Sequence, residues 1–153
     1  METVYIETTI LSYLVSRQSR DLIVAGRQEL TRDWWEYSRP QFECVISQIV
    51  IDEISAGDSF HSAKRLEHAA QLSAIAVTPA CVELARGFIK RGLVPAKEVR
   101  DALHIAVATI WKMDYLLTWN CRHIANAHNL KQLRIFAQSH GHELPTVCTP
   151  EEL

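Results

Sequence analysis

The chain has 153 residues, 48% of them hydrophobic and 22% charged, with a formal net charge of −2 and a pI near 6.4. That is apolar material for one compact domain over residues 1–153, and too little positive charge for a protein that coats nucleic acid with its whole surface. No apolar run approaches the ~20 residues that span a bilayer, the start METVYIETTI has no basic-then-apolar leader, and Cys44, Cys81, Cys121 and Cys148 never form a C-x-x-C pair, so the expectation is a cytoplasmic protein with reduced thiols.

Strand-like and helix-like segments alternate along the chain. Thr3 to Ile6 is expected as a first strand, followed by helices over Thr8 to Ser16 and Asp21 to Tyr37. Phe42 to Ile46 is a second strand, and Ser47 is the expected N-cap of a helix through Ser55 that Gly57 stops. Asp58 caps the next helix, to about Leu72. Ala74 to Val77 is a short third strand. Thr78-Pro79 opens a helix by the cap-then-proline rule, ending at Gly92. Pro95 opens another, to about Met113. Tyr115 to Thr118 is a fourth strand, with a short helix from Asn120. Leu130 to His140 is helical, Gly141 stops it, and Thr146 to Cys148 is a fifth strand. The alternation predicts an α/β protein whose parallel sheet is covered on both faces, with any site at the carboxyl ends of the strands.

Four residues attract attention at that edge. Val4, Tyr5 and Ile6 read as a buried strand, yet it ends on Glu7, and a charge is costly to bury without a partner. In SQIVIDEIS, Glu53 lies inside the apolar stripe of Ile46, Ile49, Val50 and Ile54; the plain alternative is a side chain at the stripe's edge reaching water. In AKEVRDALHIAVA, Val99, Ala102, Leu103, Ala106, Val107 and Ile110 form the core stripe and Asp101 flanks it. A carboxylate favoured by the N-terminal helix dipole would look the same. His104, on the side of Asp101, reads as a packed or hydrogen-bonded histidine. Asn120 follows the fourth strand and can also cap what comes next; Thr118 offers a hydroxyl there. Asp114 precedes that strand, at the opposite end of the sheet. Three carboxylates meeting with no lysine or arginine at the strand ends would repel one another, and a hard divalent cation bound through oxygen would relieve them.

Other chemistries lack their residues. The first strand–helix turn, ETTI, has no glycine for a dinucleotide or P-loop site. The third strand runs into VTPA, with no phosphoacceptor aspartate. No D-x-D follows the first strand, and no G-x-S-x-G occurs.

Across essentially its whole length, through VYIETTILSYL, VISQIVIDEI, RDALHIAVA and DYLLTWNCRHIAN, the sequence resembles PIN-domain proteins of the VapC-type ribonuclease toxins. The resemblance implies a three-layer α/β/α fold around a central parallel sheet of about four to five strands. It also implies an acidic pocket for Mg²⁺ or Mn²⁺ and cleavage of RNA phosphodiester bonds. Carried over by position, the pocket holds Glu7, Glu53, Asp101 and Asn120, with Asp101 and Glu7 as inner ligands and Glu53 and Asn120 acting directly or through water. The family usually has aspartate at the first and fourth positions, so Glu7 is one methylene longer and Asn120 removes a charge. Arg17, Arg20, Lys97 and Arg100 are the candidate RNA-binding residues. A small cognate antitoxin and a homodimer are the implied partners; of the adjacent Trp34 and Trp35, which face different directions on a helix, one is expected to be exposed and to suit an interface. The alternatives are a PIN-like binding module without catalysis, or a small-substrate phosphoesterase using the same pocket.

Overall fold

Val4, Tyr5 and Ile6 are fully buried in the middle strand of the sheet, as an uninterrupted apolar run in a covered parallel sheet should be. In the computed structural model, which covers residues 1–153, the strands are β1 (Thr3–Ile6), β2 (Glu43–Ser47), β3 (Ser73–Ile75), β4 (Tyr115–Leu117) and β5 (Thr146–Cys148). They lie in the order β3-β2-β1-β4-β5, and every neighbouring pair is parallel. Tyr5 is in register with Val45 on one side and with Leu116 on the other.

The helices are α1 (Thr8–Val15), α2 (Leu22–Asp33), α3 (Gln48–Ile54), α4 (Ser59–Ala69), α5 (Pro79–Lys90), α6 (Val99–Ile110) and α7 (Ala127–Ser139). Helices α1, α2, α3 and α4 pack among themselves, and α5 packs on α6 and α7. Right-handed crossovers account for this grouping: the chain steps from β1 to β3 in one direction, then crosses to β4 and β5 in the other, so the two sets of connections cover opposite faces. The three-layer α/β/α arrangement expected from the sequence is present, with five strands. The strand order reverses between β1 and β4, and in such folds the carboxyl ends of the strands at that point are the usual place for a ligand.

Local signals account for most of the boundaries. Asp58 accepts from His61 N at 3.0 Å and Thr78 from Cys81 N at 3.4 Å. Gly57, Gly92 and Gly141, the expected helix stops, all have positive φ, which glycine adopts without steric cost. At the end of α3, Arg65 of α4 donates to Ile54 O at 3.0 Å and to Ala56 O at 2.7 Å. These carbonyls have no helical partner of their own. Arg65→Ala is expected to lower stability by about 1–2 kcal/mol, measured by urea unfolding; a change below about 0.3 kcal/mol would mean that water replaces the guanidinium there.

Five expectations are corrected. Trp34 and Trp35 are both buried, at 2% and 8% exposure. The helix widens into a π turn over Trp34–Ser38, which changes the angle between successive side chains. Trp34 stacks on Phe42 and Trp35 meets His68, so neither ring is left exposed. Val99 is 45% exposed because it opens α6 before the helix passes under its neighbours. Ser47 makes no side-chain cap for α3; its hydroxyl is taken by Tyr5. The third strand is Ser73–Ile75 instead of Ala74 to Val77, set by pairing with β2. The stretch after Asn120 is a turn, and the helix beyond it begins at Ala127 with Asn126 as its cap.

All four cysteines are free. No helix is long and apolar enough to cross a membrane.

Candidate metal centre

The carboxylate that ends β1 is only 3% exposed, and it is satisfied by the threonines around it. Glu7 is the N-cap of α1. Its Oε2 accepts from Thr9 N at 3.1 Å. Its Oε1 accepts from Thr9 Oγ1 at 2.6 Å and from Thr118 Oγ1, just past β4, at 2.5 Å. The same threonines continue outward: Thr9 Oγ1 accepts from Trp119 N at 2.8 Å and Thr118 Oγ1 from Asn120 N at 2.9 Å. Three donors on one carboxylate offset much of the cost of burying it. Thr9 and Thr118 therefore stitch the ends of β1 and β4 together.

Glu53 projects from the last turn of α3. Thr8 Oγ1 donates to its Oε1 at 2.7 Å, and His104 Nε2 lies 2.5 Å from the same oxygen. Burial pushes the Glu53 carboxyl upward, but His104, Thr8 and the charge of Arg100 outweigh it, so its pKa lies below the usual carboxylate value. The other ring nitrogen, His104 Nδ1, is 2.7 Å from Tyr5 Oη, and Tyr5 Oη is 2.7 Å from Ser47 Oγ. Tyr5, Ser47 and His104 are all fully buried. Burial pushes the Tyr5 hydroxyl well above the ordinary tyrosine range, against the opposing effect of Ser47.

Asp101 stands in the first turn of α6, half-buried. Burial raises its pKa; His104 opposes that rise, the carboxylates of Glu98 and Glu7 add to it, and the Asn120 amide opposes it. Asp101 is thus the carboxylate on which the like charges converge. Asn120 Oδ1 accepts from His123 N at 3.0 Å, capping the turn that follows β4. This turn brings His123 Nε2 to 3.7 Å from Glu98 Oε1. One ligand atom each from Glu98, Asp101 and His123 lie within 4.8 Å of one another, a group that could bind a metal.

Sequence reasoning passed over Glu98 and His123. Glu98 carries a readable signal, since it precedes Asp101 by three residues and so shares its side of the helix start. His123 carries none, because only the turn capped by Asn120 brings it back. Of the basic candidates, Lys97 and Arg100 are exposed beside Glu98 and Asp101. Arg17 and Arg20 follow the far end of α1, one helix of about 12 Å away from Glu7. The larger cavities lie elsewhere. One of about 460 Å³ is lined by Lys112, Asp114, His142 and Glu143, among others, at the amino ends of β4 and β5.

No family model matches the chain, and no curated protein matches it. Solved structures do. A chain of the VapBC2 complex from Rickettsia felis, bound to a DNA fragment from its promoter, superposes with a TM-score of 0.62 at 14% identity, covering 96% of this chain and 98% of that one. A chain of a toxin–antitoxin complex from Klebsiella pneumoniae gives 0.60 at 15% identity, covering 96% and 97%. Likeness at that identity establishes the fold alone: a five-stranded parallel sheet between helices, shared with these chains of toxin–antitoxin complexes.

Proposed function

We propose that this chain is a metal-dependent endoribonuclease of the toxin–antitoxin type, hydrolysing RNA phosphodiester bonds at the carboxylate edge of its sheet and held in check by a small antitoxin. The observation that carries this reading is the placing of Asp101, a half-buried carboxylate that feels the like charges of Glu98 and Glu7 and whose donor atom lies within 4.8 Å of those of Glu98 and His123. Like charges gathered against their own repulsion mark a functional site more often than a structural one. That the fold is shared with chains of VapBC2 and of another toxin–antitoxin complex supports the toxin part of the reading.

The donor set fits Mg²⁺ or Mn²⁺. Asp101 would be the central ligand with Glu98 and His123, whose donor atoms lie within 4.8 Å of its own, and Glu7 and Glu53 would add carboxylates directly or through water; the oxygen-rich set suits a hard ion, and the imidazole favours Mn²⁺ over Mg²⁺. Such an ion supplies Lewis acidity at a phosphoryl oxygen and a water acidic enough to attack phosphorus. The protein's own groups do the positioning. Thr9 and Thr118 fix Glu7, and the Asn120 amide orients Asp101. Lys97 and Arg100 receive backbone phosphates, which hold the RNA without reading its sequence. Asn120 offers its amide to Asp101, and its carbonyl oxygen, which accepts one hydrogen bond from His123 N, keeps a second lone pair for the ion or its water. Two copies of the chain acting together complete the proposal, as the resemblance to VapC-type toxins implies.

The test is a panel of single-stranded and structured RNAs incubated with purified protein and Mg²⁺, Mn²⁺ or EDTA. Cleavage is expected with Mn²⁺ or Mg²⁺ and should vanish in EDTA. Cleavage that persists in EDTA, or binding of RNA without cleavage at any metal concentration, would overturn the reading in favour of other chemistry or of a binding module.

A further inference from the structure

Behind Glu53 runs a line of buried polar groups that the reaction as proposed does not use. His104 reaches Glu53 through Nε2 and Tyr5 through Nδ1, and Tyr5 reaches Ser47. The line begins at the end of β2, passes through the central strand, crosses to α6 and returns to α3. It costs the core three polar side chains with no solvent access. A fold that needed only packing here would be served as well by apolar residues of the same shape.

The directions of the bonds are constrained. An ionised Glu53 carboxylate can only accept, so Nε2 carries a proton in every state of the ring that makes this contact. In the neutral ring Nδ1 then accepts from Tyr5, and Tyr5 accepts from Ser47. Both donors to Glu53, His104 Nε2 and Thr8 Oγ1, converge on Oε1. Oε2 has no hydrogen-bond partner in the protein and is not among the buried unpartnered atoms. One oxygen is bound to the fold and the other is open to solvent.

Resting on the metal-centre reading above, we infer that His104, backed by Tyr5 and Ser47, is a positioning residue that locks the Glu53 carboxylate so that Oε2 alone is presented to the divalent ion or its water. Glu53 arrives on the short helix α3 while Asp101 arrives on α6, from opposite layers of the fold. A side chain with three rotatable bonds projecting across that gap needs an anchor if it is to hold one geometry. Partners of this outer kind typically contribute 10–100-fold to metal affinity or activity.

The experiment measures Mn²⁺ binding by calorimetry for the wild type, Tyr5→Phe, His104→Leu and His104→Gln, with Asp101→Asn marking the site and circular dichroism reporting folding. The wild type is expected to bind Mn²⁺ and Asp101→Asn to lose it. Tyr5→Phe and His104→Leu should bind roughly 10–100-fold more weakly. His104→Gln, whose amide N–H can replace Nε2 as donor, should recover most of that loss. A residue that merely ties the layers together would change the melting temperature in all three variants and leave Mn²⁺ affinity alone. Wild-type affinity in folded Tyr5→Phe and His104→Leu, or a loss in His104→Gln as large as in His104→Leu, would overturn the inference while sparing the metal centre. If His104→Leu does not fold, Tyr5→Phe decides. A wild type with no Mn²⁺ binding that depends on Asp101 would remove the metal centre itself, and the inference with it.

Discussion

Asp101→Asn is expected to reduce RNA cleavage by on the order of 10³-fold while leaving the protein at least as stable as the wild type. The activity arm follows from the proposed metal centre: Lewis-acid stabilisation of a transition state is worth several kcal/mol, at 1.36 kcal/mol for each factor of ten. The stability arm follows from the surroundings of Asp101. Its pKa is raised in the folded protein, by burial first and by Glu98 and Glu7 as well. A group whose folded pKa exceeds its unfolded one adds stability that is complete below the unfolded value, near 3.9, and is lost as the pH rises through the folded value. At neutral pH the ionised Asp101 is therefore a burden on the apo protein, and asparagine, uncharged at every pH, removes it. The two arms are read together, by RNA cleavage with Mn²⁺ and by urea midpoints of apo protein at pH 7. A stable, inactive variant is the expected pair. An active variant would remove Asp101 from the chemistry, and a strongly destabilised one would mean that its carboxylate supports the fold instead of opposing it.

The largest effect on stability from a single near-isosteric change is expected at Thr118. Thr118→Val keeps the shape and deletes the hydroxyl, which both donates to Glu7 Oε1 and accepts from Asn120 N. The first of these bonds ends on a buried charge, the class worth about 1.5–3 kcal/mol. The second loss leaves a backbone N–H short of an acceptor. Together they are expected to cost about 3 kcal/mol, a sizeable share of the ~5–15 kcal/mol that holds a typical domain. Urea unfolding should show the midpoint falling with an unchanged slope. A loss under about 1 kcal/mol would mean that water enters and solvates Glu7. Thr9→Val, whose hydroxyl likewise donates to Glu7 Oε1 and accepts from Trp119 N, should cost a comparable amount.

The strands were legible because residues such as Val4, Tyr5, Ile6, Val45 and Leu116 form short apolar runs bounded by turn residues, and a parallel sheet buries both faces of such runs. The α/β/α layering followed from the alternation of elements. What local pattern could not reveal is where tertiary partners outbid local ones. Ser47 has the right residue type and position to cap α3, yet Tyr5 Oη takes its hydroxyl. Trp34 and Trp35 should diverge on an α-helix, but a π turn lets both enter the core. For the candidate site, Glu7 is conspicuous as a charge after a buried strand, and Thr9 is legible as its partner from adjacency. Thr118 is not, since its role depends on β4 lying beside β1. His104 reads as a packed or hydrogen-bonded histidine, which it is; that its bonds lead from Glu53 to Ser47 depends on four elements meeting in space.

The placing of β1 in the middle of the sheet also bears on when the molecule is finished. Glu7 meets Thr118 across 111 residues of chain, and Tyr5 meets His104 across 99. Contacts between such distant segments are the slow ones to form, because the loop must close before they contribute. At typical synthesis rates Thr118 is added on the order of ten seconds after Glu7. Until then β1 has β2 on one side and an open edge on the other, the buried carboxylate lacks a donor, and Asn120 and His123 do not yet exist. β1, made before the other four strands, waits through the 111 residues that separate Glu7 from Thr118 before its environment is complete, so the acidic edge depends on long-range closure and not on local folding.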